Sequence, residues 1–366
     1  IYILNLPIPV ISDMITCHLQ SEPEAFFTTM HILSAITLPV DLFGVYCIVK
    51  KSPPFMKDYS RLLLIYQICA TVTDTFTNML FIPVAFFPFP VVYHAGVLFS
   101  YRYLKYSYMF ITWLCLMVTT MDAIVQLFVF RWQSLLMNDH PLRLDKKYLI
   151  LICSLVFVLS NGAVVIAGFS MPNRREELRP IYIQEFSCIA ELVDQPGIQY
   201  FMAYDFRRLL LVVCVEGLFV ILVSFILVYL TFRNFRFTNV TQKTIDLQKR
   251  YQKSLIVQVM VPVLVVIVPG CSVLLVGAWC DTLLGYQYTS EIQVVYNLIC
   301  CIISCHGLFG TIIMVHVNAP YREFVLECIR KIFRMRMCCS STRAYLRRLS
   351  EGKIRDNRPQ TTSPGS

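Results

Sequence analysis

Residues 209–232 read LLLVVCVEGLFVILVSFILVYLTF, and Glu216 is the one charged side chain in this stretch. A helix needs about 20 consecutive apolar residues to cross the hydrocarbon core of a bilayer, so this segment is long enough to do so. The whole chain has the same character, since 57% of its 366 residues are hydrophobic, 15% are charged and the mean hydropathy is +0.61. Soluble domains carry about 25% charged residues. Lipid is therefore the expected solvent for most of this chain.

Seven segments of this kind occur along the chain. They are Phe26–Val49, Leu62–Pro88, Tyr106–Phe130, Tyr148–Met171, Leu209–Phe232, Ser254–Trp279 and Ile292–Val317. Because lipid offers backbone N–H and C=O groups no hydrogen-bond partner, each segment is predicted to be a helix. The short alternating segments of a transmembrane β-barrel do not occur in the sequence. The pattern predicts an all-α membrane protein with a seven-transmembrane helix bundle over residues 26–317.

The Lys and Arg residues are divided unequally between the two sides of the predicted bundle. Twenty-five of the 32 fall in the loops and tail on one side, and seven fall on the other. Cytoplasmic loops are enriched in Lys and Arg, so the N-terminus is predicted to be outside and the C-terminus cytoplasmic. The net charge of +9 follows from this topology, and nucleic acid is not an expected partner. The sole glycosylation sequon, Asn239-Val240-Thr241, lies on the predicted inner side and is expected to carry no glycan.

Three groups of motifs are shared with a known receptor family. They comprise Leu38-Pro39 with residues 42–49 and 51–56, residues 244–249 and 255–258 with Pro262 and Pro269, and residues 304–308 with 318–322. Together they resemble the nematode serpentine receptor class H chemoreceptors, which are seven-transmembrane G-protein-coupled receptors. The resemblance extends from Phe26 to Arg330. The related class I and class D chemoreceptors are close alternatives.

The resemblance implies a chemosensory receptor of the plasma membrane, located in the sensory cilium when a chemosensory neuron expresses it. Such a receptor binds an odorant or another small molecule and activates a heterotrimeric G protein. The alternative from another class is a transporter or channel, which needs a continuous polar path or a ring of like charges. Here the intramembrane ionisable residues are scattered singly over five spans. No HExxH or GxSxG motif occurs, so neither an enzyme, a cofactor nor a metal site is expected.

Five residues in the predicted outer half of the bundle are candidates to contact the ligand. They are Tyr108, Trp113, Glu216, Tyr296 and Asn297. Glu216 either binds a ligand amine or is simply hydrated near the outer end of its span, and the aromatic residues are equally consistent with packing. The outer loop at residues 172–208 is long enough to cover a ligand, and a solvated connector is the alternative.

Ionisable side chains at membrane depth cost about 2.5–3.5 kcal/mol on insertion scales, so they are expected to face the bundle interior. Asp74 and Asp122 are interpreted as activation switches, with static interhelical hydrogen bonds as the alternative. Arg131 matches the family's arginine at the foot of span three, although Val129 and Phe130 stand where that family tends to carry an acid and Asn. Its alternative role is an anchor to lipid headgroups. The remaining switch candidates are Pro262, Pro269, Pro320 and Tyr321.

Two further intramembrane groups have simpler interpretations. Asp41 departs from the family pattern, and a hydrogen bond to a neighbouring helix explains it best. His306 is expected to be a packed, hydrogen-bonded histidine, because no second metal ligand lies at a suitable spacing.

Cysteines on the predicted outer side are candidates for a disulfide. Cys188 has two possible partners, Cys17 and Cys280, and the sequence leaves the connectivity open. The usual bridge to the top of span three is not expected, because no cysteine lies between Pro88 and Phe110.

The two ends of the chain are predicted to lie outside the bundle. Residues 1–25 form an extracellular segment. Residues 318–346 include a basic amphipathic helix, predicted to lie on the inner leaflet, followed by the palmitoylation candidates Cys338 and Cys339. Residues 347–366 are polar and are predicted to form a disordered cytoplasmic tail.

Overall fold

The computed structural model describes residues 23–54, 57–86, 91–100, 106–136, 140–171, 175–185, 198–235, 256–257, 260, 263–272 and 290–331. Its helices are α1 (Glu24–Lys51), α2 (Lys57–Thr75), α3 (Tyr106–Leu135), α4 (Lys146–Phe169), α5 (Arg175–Glu185), α6 (Ala203–Phe235), α7 (Ser290–Ile303) and α8 (His306–Val317). Residues 319–331 form a further helix. α2 extends into the π-helical segment Phe76–Phe81, and Val263–Ile267 is a second π-helical turn. The strands are β1 (Pro83–Ala85), β2 (Val91–His94) and β3 (Ile198–Tyr200).

Five of the predicted spans coincide with helical stretches that are long and apolar enough to cross a bilayer. These are Glu24–Lys51, Tyr106–Ser134, Lys146–Phe169, Tyr204–Thr231 and Gln293–Val317, in the places of spans one, three, four, five and seven. α2 stands in the place of span two and is more polar, since it includes Asp58, Arg61 and Asp74. Of span six, the structure describes the short apolar helix Val263–Ser272 and three residues before it.

α1 shows how these helices are oriented about their axes. Its buried residues recur every three or four positions and include Ser34, Thr37, Asp41 and Gly44. The opposite face exposes large apolar side chains, among them Ile32, Ile36 and Phe43. A helix on a water-soluble protein shows the reverse arrangement. Helices in lipid associate through small and polar residues, so the pattern is that of a bundle surrounded by lipid.

The helix predicted over Leu62–Pro88 ends earlier than the apolar run implies. After Phe81 the chain turns at Ile82, which has φ of 32°, and continues as the strand β1. Pro83 has no N–H to donate, and its ring disfavours the α conformation at the preceding residue. The prediction of a helix as far as Pro88 is therefore wrong.

A three-stranded antiparallel sheet packs against one end of the bundle, called here the sheet end. The strand order is β1-β2-β3, with Pro83 opposite His94 and Val91 opposite Tyr200. All residues of β1 and β2 are buried. β3 belongs to the loop at residues 172–208, which also contains α5, so this loop contributes structure to the sheet end.

Two apolar clusters fill the bundle, and a polar layer lies between them. The cluster at the sheet end includes Phe81, Phe110, Phe206 and Tyr296. The cluster at the opposite end includes Leu63, Ile124, Phe128, Met314 and Tyr321. The functional groups described next lie in or beside the layer between these clusters.

Candidate functional site

A buried polar network joins α1, α2 and α8 in the middle of the bundle. Asp74 Oδ1 lies 2.6 Å from His306 Nδ1, and each side chain is 2% exposed. The second carboxylate oxygen of Asp74 accepts the backbone N–H of Gly307 at 2.9 Å. A turn at Ser304 and Cys305 separates α7 from α8 and so brings the first turn of α8 to the middle of the bundle. The N–H groups of a first turn have no partner within their own helix, which suits them to an acidic side chain.

Asp41 of α1 enters the same network through separate partners. Its Oδ1 accepts the Thr311 hydroxyl at 2.6 Å and the Gln67 amide at 3.5 Å. Gln67 also donates to Thr311 Oγ1 at 2.6 Å. Asp41 thus makes the interhelical hydrogen bond that its sequence position suggests.

The two carboxylates of the network converge on Gly307. A Cβ on this residue would lie 2.9 Å from Asp41 Oδ2 and would collide with Asp74 Oδ2. Real Cβ contacts are essentially never this short, so the three helices approach each other closely because position 307 has no side chain.

Several buried polar atoms around the network have no hydrogen-bond partner among the described residues. They are Asp41 Oδ2, Tyr66 Oη, Asn78 Oδ1 and Ser304 Oγ. Most buried polar groups in proteins are paired, so this network has spare hydrogen-bonding capacity. Groups with spare capacity can exchange partners when a helix shifts, as a conformational switch requires.

Asp122 and Glu216 form a second polar group, between α3, α4 and α6. Asn161 Nδ2 donates to Asp122 Oδ2 at 3.3 Å, and Ser160 Oγ donates to Glu216 Oε2 at 3.1 Å. Both acids therefore point toward α4. The neighbour of Glu216, Gly217, lies on a different face of α6, because successive helical residues are about 100° apart.

A cavity of about 90 Å³ lies beneath the sheet. Its walls come from α3, α6, α7 and the span-six helix, and Ala85 of β1 and Val92 of β2 also line it. Thr77 and Ile303 lie on the side nearest the polar network, each three residues from a member of the Asp74–His306 pair. The cavity and the network are thus separated by three residues along the chain on each side.

The structure brings two of the five predicted ligand residues to this cavity. Trp113 and Tyr296 line it. Tyr108 is 46% exposed and packs on Phe169, with ring centroids 5.5 Å apart. Glu216 faces α4, and Asn297 is not among the residues that line the cavity. Two of the five candidates thus line this cavity, and the other three do not.

The end of the bundle opposite the sheet carries Arg131, and is called here the Arg131 end. The Arg131 guanidinium carbon lies 3.8 Å from the centroid of the Tyr59 ring, a cation–π arrangement. Tyr321 Oη lies 2.7 Å from Ser52 Oγ, which joins the helix at residues 319–331 to the end of α1. The Tyr59 ring of α2 thus contacts the arginine of span three, whose preceding residues Val129 and Phe130 stand where the family tends to carry an acid and Asn.

The proline candidates are only partly within the described residues. Pro269 follows the π-helical turn Val263–Ile267, so an irregularity in span six coincides with a residue that has no N–H to donate. Pro320 lies in the first turn of the helix at residues 319–331, where a missing N–H has no cost. Pro262, the disulfide candidates Cys17, Cys188 and Cys280, and the palmitoylation candidates Cys338 and Cys339 lie outside the described residues.

Several residues of the network are missing from the sequence-based candidates. Gln67, Asn78, Gly307 and Thr311 are uncharged, so the cost argument that selected Asp74 did not single them out. The sequence did contain one indication for Gln67. It is an amide at membrane depth, and because it is seven residues before Asp74 it lies on nearly the same face of the helix.

The fold and its buried network define a membrane protein of the helical-bundle class. Residues 21–331 match the family model described as serpentine type 7TM GPCR chemoreceptor Srh. The chain therefore belongs to this family of seven-transmembrane chemoreceptors, which confirms the resemblance to class H and the nematode origin that it implies. No curated protein matches the chain. Membership makes it a multi-pass membrane protein of a receptor family, not of an enzyme family.

Proposed function

We propose that the protein is a chemosensory receptor that binds a small molecule in the cavity beneath the sheet and activates a heterotrimeric G protein at the Arg131 end. One observation carries the proposal: the cavity residues Thr77 and Ile303 lie three residues along the chain from Asp74 and His306, and His306 Nδ1 is 3.2 Å from the Ile303 carbonyl oxygen. A ligand that displaces either wall residue also displaces the network that joins α1, α2 and α8. Activation follows if the ligand binds the displaced arrangement more tightly than the resting one.

The proposal places the sheet end outside the cell and the Arg131 end in the cytoplasm. The distribution of Lys and Arg supports this orientation. The helix at residues 319–331 then lies on the inner leaflet, and Cys338 and Cys339 are within reach of palmitoylation. The plasma membrane, and the cilium of a sensory neuron, is the proposed location. An epitope tag before α1 should be accessible to antibody on intact cells, and a glycan on Asn239 in native material would contradict the orientation.

The direct test is nucleotide exchange in lipid nanodiscs that contain the receptor and a heterotrimeric G protein. A panel of small molecules should include at least one that accelerates guanine-nucleotide exchange, and Arg131→Ala should abolish the acceleration. A receptor that never stimulates exchange, but whose proteoliposomes show solute flux, would favour the transporter alternative.

Replacing Tyr59 by alanine is expected to raise ligand-independent nucleotide exchange. The Arg131–Tyr59 arrangement is the resting one in this proposal, and a cation–π contact contributes about 0.5–2 kcal/mol, so its loss raises the active population by about 2- to 30-fold. Basal exchange in nanodiscs measures the effect. Tyr59→Phe is the matched control, because it keeps the ring and should leave basal exchange unchanged. Equal effects of the two variants would show that the ring does not restrain Arg131.

Replacing Glu216 by glutamine is expected to leave ligand potency within about twofold of the parent value, a small change compared with the 10- to 200-fold that pocket contacts supply. The reason is that the Glu216 carboxylate accepts a hydrogen bond from Ser160 on the α4 side, and glutamine retains an acceptor. Dose–response curves of nucleotide exchange provide the measurement. Trp113→Ala is the contrasting variant, since Trp113 lines the cavity, and it should weaken potency by about tenfold or more.

A further inference from the structure

The cavity beneath the sheet has a wall that is almost entirely hydrocarbon and aromatic. Phe110, Met117, Phe206 and Ile267 are typical of its lining. Its described polar members are few, and two of them, Thr77 and Trp113, are paired with each other. Thr77 Oγ1 accepts the Trp113 indole N–H at 3.0 Å and donates to the Thr73 carbonyl at 2.8 Å.

The remaining polar side chains of the described wall are Cys271, Tyr296 and Cys300. Thiols are weak hydrogen-bonding groups, and Tyr296 already interacts with other groups of the protein. Among the described residues, a ligand in this cavity therefore meets few groups with which it can form a strong hydrogen bond. A ligand rich in hydrogen-bonding groups would lose its contacts with water and gain little in return.

The acidic side chains nearest the cavity are turned away from it. Asp74 binds His306 and the Gly307 N–H, Asp122 binds Asn161, and Glu216 binds Ser160. None of these three acids lines the cavity. An ammonium group placed there would be desolvated with no carboxylate among the described wall residues to pair with it, and an unpaired buried charge is strongly unfavourable.

The size of the cavity limits the ligand further. A dry apolar cavity of about 150 Å³ accepts benzene, and this one measures about 90 Å³. Met117 and Met121 are flexible side chains that repack easily, which allows some enlargement. The cavity as it stands is smaller than one that holds benzene, so a small ring fits only with the enlargement that Met117 and Met121 allow.

From these observations we propose that the cavity takes a compact, uncharged and predominantly apolar molecule, and that it rejects an ammonium compound of the same shape. The inference rests on the proposed function for its meaning in signalling, but it concerns binding alone. In the sequence analysis, one interpretation of Glu216 was that it binds a ligand amine. The uncharged ligand proposed here replaces that interpretation.

Three probes of the same shape test whether the cavity rejects a charged ligand. They are methylcyclopentane, cyclopentanol and cyclopentylammonium. Binding is measured in nanodiscs at pH 7 through the fluorescence of Trp113, in a receptor carrying Trp132→Phe and Trp279→Phe. The two neutral probes should quench or shift this emission saturably, and cyclopentylammonium should bind at least about tenfold more weakly. Equal affinity for cyclopentanol and cyclopentylammonium would overturn the inference.

Filling the cavity tests its location. Gly270 lines the cavity, and a Cβ there would lie 3.9 Å from Ile303 Cδ1, an ordinary contact. Gly270→Leu should weaken binding of the neutral probes by about tenfold or more, and Gly270→Ala by a smaller factor. The matched control is Gly162→Leu, because a Cβ at Gly162 meets nothing within 4 Å. This control also corrects for probe dissolved in the lipid. The neutral probes should bind Gly162→Leu as tightly as they bind the parent receptor.

Different results would contradict the receptor mechanism and the proposed ligand class. Saturable binding of the neutral probes that never stimulates nucleotide exchange would contradict the receptor mechanism and leave the ligand class standing. Exchange stimulated by an ammonium compound would contradict the ligand class and leave the receptor mechanism standing. Unchanged probe affinity in folded Gly270→Ala and Gly270→Leu would show that the neutral probes bind elsewhere.

Discussion

Replacing His306 by leucine is expected to destabilise the folded receptor by about 1–3 kcal/mol, the usual cost of leaving a buried hydrogen-bonding group without its partner. Leucine fills a similar volume but leaves Asp74 Oδ1 without its partner at 2.6 Å. The carboxylate would retain the Gly307 N–H as its described hydrogen bond. Thermal unfolding, followed with a thiol-reactive dye that reports exposure of the buried Cys47, Cys214 and Cys300, measures the loss.

A second substitution identifies the cause of that loss. Asp74→Asn removes the carboxyl group that His306→Leu leaves without its partner, so the double variant should unfold at a higher temperature than His306→Leu alone. The control is His31→Leu, since His31 is exposed on α1. If His306→Leu and His31→Leu unfold at the same temperature, the Asp74–His306 pair does not stabilise the bundle.

Replacing Gly307 by alanine is expected to have an effect of similar size. Its methyl group would collide with Asp74 Oδ2 and would lie 2.9 Å from Asp41 Oδ2. Overpacking of this kind costs about 1–3 kcal/mol. Moving Asp74 away also weakens its bond to the Gly307 N–H, and hydrogen bonds to charged groups contribute about 1.5–3 kcal/mol.

The measurement for Gly307→Ala is again the unfolding temperature, with Gly162→Ala as the control. Gly162 lies within α4, and a Cβ there meets nothing within 4 Å, so alanine should stabilise slightly through its helix propensity. An unfolding temperature for Gly307→Ala at or above that of the parent would show that α8 moves aside without disturbing the two carboxylates.

His306→Leu and Gly307→Ala both alter the buried polar network, which is the proposed connection between the cavity and the Arg131 end. The network connects α8 to α1 through Asp41 and Thr311, and to α2 through Asp74. At the Arg131 end, α1 is followed by Ser52, α2 contains Tyr59, and α8 is followed by the helix at residues 319–331, which contains Tyr321. A displacement at the cavity therefore has a mechanical route to the residues proposed to meet the G protein. Spare hydrogen-bonding capacity in the network lets it adopt a second set of partners along that route.

Local sequence was sufficient to predict five of the long apolar helices and the family. Apolar length is a property of consecutive residues, so the stretches at Phe26–Val49 and Leu209–Phe232 appear as helices close to their predicted bounds. The same argument failed at Leu62–Pro88, where proline chemistry overrides hydropathy. The family motifs are also local, and the match over residues 21–331 confirms them.

The rotation of each helix about its axis, and the partners it thereby acquires, depend on packing between distant segments. Hydropathy predicts that Asp74 and Glu216 avoid lipid, but it does not state which neighbour each will meet. Gly307 is 233 positions from Asp74, and Thr311 is 270 positions from Asp41. A step of one residue turns a helix by about 100°, so Gly217 lines the cavity while Glu216 faces α4. This difference in direction keeps the Glu216 carboxylate out of the cavity. The proposed ligand is uncharged for this reason.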